Sequence, residues 1–512
     1  MNYLLFTVFA SGLTTLAIEM AASRLLGAVF GTSNLVWASI IGLILIYLTA
    51  GYFIGGRWAD RSPNYKTFYT ILAWGAFTSG VVPFVSRPIL RMAATAFDHL
   101  QTGVLFGAFT TVLILFVIPI TLLGTVSPFA IRLALKDANR AGEISGRIYA
   151  ISTLGSFVGT FLPVLVLIPL IGTTLTFVAF AGLLLLVALA GLWLFAGKRA
   201  ALAWAWMPLV LALLAVLWGR GSIKTTAGQI YETESAYNYI QVLEMDDYRY
   251  LRLNEGQGIH SVYHPSQLAY EGTWMQALVA PFFNSPPYRS QDVESLAIVG
   301  LAAGTTARQA TLAFGSIAID GYEIDPEIIR VGQEYFAMNQ PNLNPIPQDG
   351  RWGLAHSGKE YSFISIDAYR PPYIPWHLTT REFFALVRQH LTSDGAMVLN
   401  VGRTPEDEKL LAGLAATIQT VFPSVYVMDL PYSYNSMIYA TVQPTQAENL
   451  ILNYQAILGE EQPSSTLLHA LELTIANLRP VPEGGRVFTD DKAPIEWITN
   501  NMVLEYVLAG GE

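Results

Sequence analysis

The chain has 512 residues, of which 53% are hydrophobic and only 13% charged, whereas an ordinary soluble domain carries about 25% charged residues. The charges are also unevenly placed: residues 1–220 hold 13 Lys and Arg against 5 acids, a net +8, which leaves −17 for the rest of a chain that totals −9. Two such compositions imply at least two domains, the acidic remainder excludes the basic footprint that nucleic acid requires, and zero cysteines exclude disulfides, thiolate metal sites and a cysteine nucleophile.

In chain order, the apolar stretches Tyr3–Leu26, Leu35–Gly56, Phe68–Val85, Gly103–Leu123, Ile148–Leu170 and Thr174–Ala196 come first. Each has close to the roughly 20 residues a membrane span needs. Leu202–Trp218 is shorter. Together they predict an α-helical transmembrane bundle of six to eight spans over residues 1–220. Apolar sequence continues past the first stretch, so that stretch reads as a membrane helix and not as a cleaved signal. The turns after spans two, four and six hold 9 basic residues, which places those turns in the cytoplasm. Six spans then leave the following domain cytoplasmic, and seven do so only if Arg24 reverses the orientation. The expectation is a multi-pass protein with a cytoplasmic catalytic domain.

Within the first span, Glu19 and Arg24 lie five residues apart. Charge in a bilayer is costly, so they form either an ion pair closing the bundle or a site for a polar substrate or lipid headgroup. Ser152, Gly155, Ser156 and Gly159 read as a close helix-packing face, and Pro119, Pro128, Pro163 and Pro169 as kinks. Gly51-Tyr-Phe-Ile-Gly-Gly-Arg57-Trp-Ala-Asp60-Arg61 resembles the loop motif of major-facilitator carriers, although a positive cytoplasmic turn explains it equally.

A polar linker at residues 221–228 precedes a predicted β-hairpin subdomain with a connecting helix at 229–288. Its strands are Tyr239–Glu244 and Tyr248–Asn254, and helical spacing covers Tyr270–Phe283. From 289 to 512 the pattern alternates strand and helix, which predicts a Rossmann-like, methyltransferase-type α/β domain. Its strands are Ser295–Val299, Ile317–Glu323, Ser362–Ile366, Ala396–Asn400 and Val425–Leu430. The helices are Thr306–Phe314, Pro326–Met338, Arg381–Leu391 and Glu406–Val421. In such sheets the ligand lies beyond the carboxyl ends of the strands. There stand the turn Gly300-Leu-Ala-Ala-Gly304-Thr305, then Glu323, Asp349-Gly350 and Asp367. No phosphate loop, His-Glu-x-x-His, Gly-x-Ser-x-Gly or metal-ligand cluster occurs. The acidic balance suits solubility and would also draw a cationic substrate such as a polyamine.

Several motifs resemble those of spermidine synthases, the polyamine aminopropyltransferases. Glu232-Thr-Glu234-Ser235-Ala-Tyr237-Asn-Tyr239 is similar to their opening hairpin, and Tyr263-His264 to a Tyr-His pair. Tyr322-Glu323-Ile-Asp325-Pro326 is similar to Glu-Ile-Asp-Pro, Asp349-Gly350-Arg351 to Asp-Gly-Arg, and Asp367-Ala368 to the segment with the catalytic aspartate. The likeness spans roughly Tyr231–Thr441. With the apolar helices it resembles the membrane-bound spermidine synthase-like group, whose late motif is similar to Thr489-Asp490-Asp491-Lys-Ala-Pro494-Ile-Glu496.

The resemblance implies transfer of an aminopropyl group from decarboxylated S-adenosylmethionine, or a related sulfonium nucleoside, to an amine acceptor that is polyamine-like or lipid-soluble. It implies that Glu323 binds ribose, Asp349 the adenine amino group, and Asp367 the attacking amine. Gly300, Gly304, Thr305 and Gly350 would approach the donor, and Tyr239, Tyr263 and His264 would line the substrate side. No metal is expected; membrane lipids are, and a homo-oligomer is left open. Two departures bear on the donor. Ala303 stands where the synthases carry the Asp of Gly-Gly-Gly-Asp-Gly-Gly that holds the donor's ammonium, and Asn238 where they usually carry Gln. Intact S-adenosylmethionine and methyl transfer are therefore the alternative, and a polyamine or nucleoside transporter or sensor without turnover is the reading from a different class.

Overall fold

The computed structural model describes residues 2–30, 34–97, 103–219, 226–254, 258–369, 373–405, 407–431 and 433–508. The linker expected at 221–228 therefore falls largely outside the described residues. Two units emerge, Met1–Thr226 with Glu232–Tyr239, and Ala227–Tyr231 with Ile240–Glu512.

The first unit is helical: α1 (Asn2–Phe30), α2 (Asn34–Arg61), α3 (Tyr65–Phe97), α4 (Gly103–Gly124), α5 (Val126–Ala134), α6 (Ala141–Leu162), α7 (Ile168–Ala196), α8 (Lys198–Leu202) and α9 (Trp206–Trp218). Six stretches are long and apolar enough to cross a membrane. One of them, Ala138–Ala196, runs 59 residues. At 1.5 Å per residue a straight helix of that length would reach about 90 Å, roughly three times a bilayer's hydrocarbon core. It is broken by a π-helical turn, Pro163–Leu167, and by Gly172, whose φ is +78°. Outside, the helices present apolar side chains such as Leu170 and Val216, 75% and 82% exposed. Such a belt needs lipid or partner protein over it.

Small residues let the backbones approach. A Cβ on Gly155 would lie 2.1 Å from the Phe9 carbonyl oxygen, and one on Gly159 2.1 Å from that of Leu13. These partners advance together along both helices, so α1 and α6 run parallel. Ser156 donates to the Gly12 carbonyl at 3.3 Å, in keeping with the expected packing face.

The ion pair considered for Glu19 and Arg24 does not form. Arg24 donates to the carbonyls of Ser235 and Tyr237. Glu19, 9% exposed, has no hydrogen-bond or ion-pair partner among the described residues. Five residues put the two charges 140° apart around a helix, and the carbonyls satisfy Arg24 instead. Glu234 likewise belongs to this unit, accepting from the N–H and hydroxyl of Thr173 at 2.7 and 2.8 Å. Its carboxylate thus covers the start of the helical segment that resumes after Gly172.

After the helices come β1 (Gln229–Glu234), β2 (Tyr239–Met245), β3 (Tyr248–Leu253) and β4 (Ile259–Tyr263), of which residues 232–239 count with the first unit and the rest with the second. Strands β2, β3 and β4 pair antiparallel in turn. Asp246 and Asp247, with φ of 51° and 65°, form the two-residue turn between β2 and β3, a conformation in which Asp is tolerated. Helical spacing over Tyr270–Phe283 resolves into the short α10 (Thr273–Gln276) and a fully buried 3-10 helix, Ala277–Phe283, because Pro281 interrupts the α pattern.

An eight-stranded sheet follows, built from β5 (Ser295–Val299), β6 (Ala318–Tyr322), β7 (Leu343–Ile346), β8 (Tyr361–Ile366), β9 (Leu391–Gly402), β10 (Ser424–Asp429), β11 (Asn435–Thr441) and β12 (Leu478–Arg479). Its order is β12-β10-β11-β9-β8-β5-β6-β7. Strands β5 to β9 are parallel, and β10, β11 and β12 extend the sheet antiparallel. Helices α11 (Thr305–Phe314), α12 (Pro326–Tyr335), α13 (Gly350–Ala355), α14 (Arg381–Gln389), α15 (Lys409–Gln419), α16 (Glu448–Leu458), α17 (Ser465–Asn477) and α18 (Ile495–Leu508) complete the unit. Leu296 and Ile298 of β5 enter the core beneath α11, α16 and α17. Ala297 and Val299 enter the opposite core with α14 and α15. Alternate residues thus serve opposite faces of a sheet buried on both sides.

The close α1–α6 approach generates a prediction. Gly159→Val places atoms where the Leu13 carbonyl stands. Overpacking of this kind costs about 1–3 kcal/mol. Thermal unfolding of the full-length protein in lipid nanodiscs is expected at a lower temperature, with Gly182→Val, whose Cβ meets nothing within 4 Å, near wild type.

Candidate active site

Strand register assembles the site. Ile346, Tyr322, Val299, Ile366 and Leu399 pair in sequence across β7, β6, β5, β8 and β9. The residues that immediately follow on the four central strands are Glu323, Gly300, Asp367 and Asn400. Adjacent strands lie about 4.8 Å apart, so these four span about 15 Å of one sheet edge. The chain order reverses between β5 and β8, and at such switch points the connecting loops part to leave a crevice.

Gly300 sits at this point with φ +94°. Its N–H donates to the Tyr322 carbonyl at 3.0 Å, and a Cβ there would lie 2.4 Å from the carbonyl oxygen of Asp367. Only glycine fits both the conformation and the approach. Gly304 starts α11, with Met338 where its Cβ would be. Gly350 packs on Val299 in the same way, which brings Asp349 toward the row.

The three acids sit in different environments. Glu323 is buried; its Oε2 accepts from the Ala302 N–H at 3.0 Å and its Oε1 from the Asp325 N–H at 3.1 Å. Burial, reinforced by the neighbouring Asp325, pushes its pKa up to about 7 despite those N–H groups. Asp367 accepts from Asn400 Nδ2 at 2.9 Å and from Thr273 Oγ1 at 3.2 Å. Burial raises its pKa, and the two donors counter in part. Asp349 meets His377 Nε2 at 2.9 Å and caps α13 through the Trp352 N–H at 3.0 Å. The His377 contact holds its carboxyl below the usual range. The carboxyl ends of the parallel strands thus carry carboxyls tuned in opposite directions, a common property of functional sites.

Other expected site residues have structural duties. The Thr305 hydroxyl donates to the Val262 carbonyl and accepts from the Val262 N–H, both at 2.9 Å, clasping β4 to the start of α11. Tyr263 lies under the Arg308 guanidinium, 5.1 Å from its ring centre. His264 Nδ1 accepts from the N–H groups of Ser266 and Gln267 at 3.1 and 2.9 Å, which leaves the proton on Nε2. Tyr239 belongs to the first unit, its hydroxyl bonded to Glu232.

Sequence reasoning missed four contributors. Asn400 ends the run Ala396–Asn400 expected as a strand, the same signal that marked the acids, although β9 continues to Gly402. Thr273 lies inside Tyr270–Phe283, a stretch read only for apolar spacing, and His377 carried no signal. Asp490 of the late motif makes a bidentate pair with Arg351 at 2.7 and 2.6 Å and accepts from Thr380 at 2.7 Å. It thereby fastens the loop that carries Asp349. Among the described residues no group of acids and histidines could hold a metal.

Fold and site together define a Rossmann-type α/β unit with acidic side chains gathered at the carboxyl ends of its parallel strands. No family model matches the chain. It is similar to a probable polyamine aminopropyl transferase of Bifidobacterium longum, 31% identical over 280 residues that cover 52% of this chain and 61% of that protein. The polyamine aminopropyltransferase of Vibrio vulnificus is 28% identical over 308 residues, 56% of this chain and 97% of that protein. Among solved structures, a probable spermidine synthase from Corynebacterium glutamicum aligns with a TM-score of 0.40 and 18% identity, covering 52% of this chain and 97% of that one. The two relatives matched by sequence are thus both named as polyamine aminopropyltransferases.

The raised Glu323 pKa has a thermodynamic consequence. The folded protein holds a proton on Glu323 that the unfolded chain releases near pH 4.5. Stability is therefore present below pH 4.5 and lost as pH rises to about 7, by up to about 3 kcal/mol. Glu323→Gln is expected to lack this loss, and comparing melting of the two proteins from pH 5 to 8 checks it.

Proposed function

We propose that the second unit transfers an aminopropyl group from a decarboxylated sulfonium nucleoside to an amine, and that the first unit anchors it in a membrane with the catalytic unit on the cytoplasmic side. The observation that carries this reading is the carboxylate of Asp367 at the switch point, flanked by Gly300 and held by two neutral donors, Thr273 and Asn400. The named activity of the curated relatives supports it.

In this reading Glu323 would accept from the ribose hydroxyls and Asp349 from the adenine amino group. The amine lone pair would attack the carbon beside the sulfonium. The new C–N bond forms as the C–S bond breaks, and the electron pair returns to sulfur as a neutral thioether. An ammonium cannot attack, so Asp367 would orient the amine and take up the proton it sheds. Thr273 and Asn400 leave the carboxylate in one orientation. Glu323 must be ionised to accept from both hydroxyls, so donor binding would strengthen as pH rises through about 7.

One observation favours a second reading. Ala303 is fully buried in an apolar cluster with Ile240, Val242, Ile328 and Phe336, so this turn offers no carboxylate to a donor's ammonium tail. A charged hydrogen bond of that kind contributes about 1.5–3 kcal/mol. The alternative is methyl transfer from intact S-adenosylmethionine. Products separate the two: methylthioadenosine from the decarboxylated donor with a panel of amines supports the first, and S-adenosylhomocysteine from the intact donor supports the second.

Two substitutions test the assigned roles. Asp367→Asn is expected to lower turnover by a factor of about 10²–10⁴ while donor affinity, measured by calorimetry, stays near wild type. Glu323→Ala is expected to weaken donor binding first. Normal turnover by Asp367→Asn would overturn the mechanism.

A further inference from the structure

The membrane unit holds a buried carboxyl that the transferase reading does not use. Glu19 lies two thirds of the way along a 27-residue apolar stretch of α1, Asn2–Ala28, and is 9% exposed. Arg24, the neighbouring charge on α1, donates to backbone carbonyls. Among the described residues nothing donates a hydrogen bond to the Glu19 carboxyl. An unpaired carboxyl in hydrocarbon is expensive, and such groups persist where a ligand or proton completes them.

The two polar neighbours of Glu19 on its side of α1 are hydroxyls. Thr15 and Ser23 stand four residues before and after Glu19, hence on the same side of the helix. Both are 7% exposed. The Thr15 hydroxyl donates to the Ser11 carbonyl at 2.8 Å and the Ser23 hydroxyl to the Met20 carbonyl at 2.8 Å. Each hydroxyl has spent its only proton on its own helix and retains acceptor lone pairs. The row 15–19–23 therefore combines a carboxylate and two hydroxyl oxygens, with acceptor capacity and no donor left over. Extending the parallel register that pairs Leu13 with Gly159, Glu19 is level with the π-turn Pro163–Leu167, a local irregularity frequent at functional sites.

We propose that Glu19 is the anchor of a binding site inside the membrane unit for a primary ammonium group. Such a group has three N–H donors and no acceptor, the complement of what Thr15, Glu19 and Ser23 offer. A quaternary ammonium has the charge without the donors. The ammonium can come from a free alkylamine or from an aminophospholipid headgroup. The site does not depend on the transferase reading, since it rests on the first unit alone.

The test is protection from a hydrophobic carbodiimide, read by mass spectrometry of the Glu19 peptide, on full-length protein in nanodiscs of phosphatidylcholine and phosphatidylglycerol. Labelling is expected at Glu19 and absent in Glu19→Gln. n-Butylamine should abolish modification saturably, leaving neither the carbodiimide adduct nor the butylamide that coupling to an activated Glu19 would give, whereas tetramethylammonium at equal concentration should leave labelling intact. Substituting phosphatidylethanolamine into the nanodisc distinguishes the sources: lost labelling without added amine assigns the site to the headgroup, and retained labelling assigns it to free amine. Equal protection by both ammonium compounds, protection by neither amine nor aminophospholipid, or no labelling at all would overturn the proposal. The same measurement in Asp367→Asn keeps the two readings separate, because loss of turnover there should leave protection unchanged.

Discussion

The second unit depends on one constraint, the register that aligns the carboxyl ends of β7, β6, β5, β8 and β9. Parallel pairing fixes Tyr322, Val299 and Ile366 side by side, so the residue after each is delivered to the same edge without any long-range contact of its own. Glu323, Gly300 and Asp367 owe their proximity to backbone hydrogen bonds far more than to side-chain recognition. A slip of one residue in β6 or β8 would turn its inward and outward side chains over and carry an acid into the core. Burial on both faces makes that slip prohibitive, so the same packing that stabilises the sheet also sets the chemistry at its edge.

Much of this was legible from sequence. The strands β5, β6, β8 and β10 lie within a residue or two of the runs Ser295–Val299, Ile317–Glu323, Ser362–Ile366 and Val425–Leu430, because doubly buried strands are short, nearly continuous apolar runs. Strand β7 was not, for it carries Pro345 and is flanked by Pro341 and Pro347. Proline argues against a central strand, and β7 is tolerated because it closes the edge of the sheet. The helix read as Pro326–Met338 stops at Tyr335, since Ala337 turns to φ 49° and Arg308 takes the Phe336 carbonyl at 2.6 Å. No local pattern announces an arginine arriving from another helix.

Among candidate site residues, legibility divided by the kind of partner. The acids stood out because a charged residue at the tip of an apolar run has few structural explanations. Thr305 and His264 stood out equally, yet each spends its polar atoms on nearby backbone. Sequence shows that a polar group is present but not whether the backbone has already claimed it. The same limit applied to Arg24, whose partners at Ser235 and Tyr237 lie more than two hundred residues away along the chain.

The pair between Arg351 and Asp490 joins positions 139 residues apart. Every helix of the first unit precedes both residues. During synthesis, therefore, the apolar helices emerge first, and the loop bearing Asp349 lacks its fastening until residue 490 has been made. That end of the sheet is completed only on a chain whose greasy half has already been made, so a nascent chain has all its apolar helices before it has a finished sheet edge.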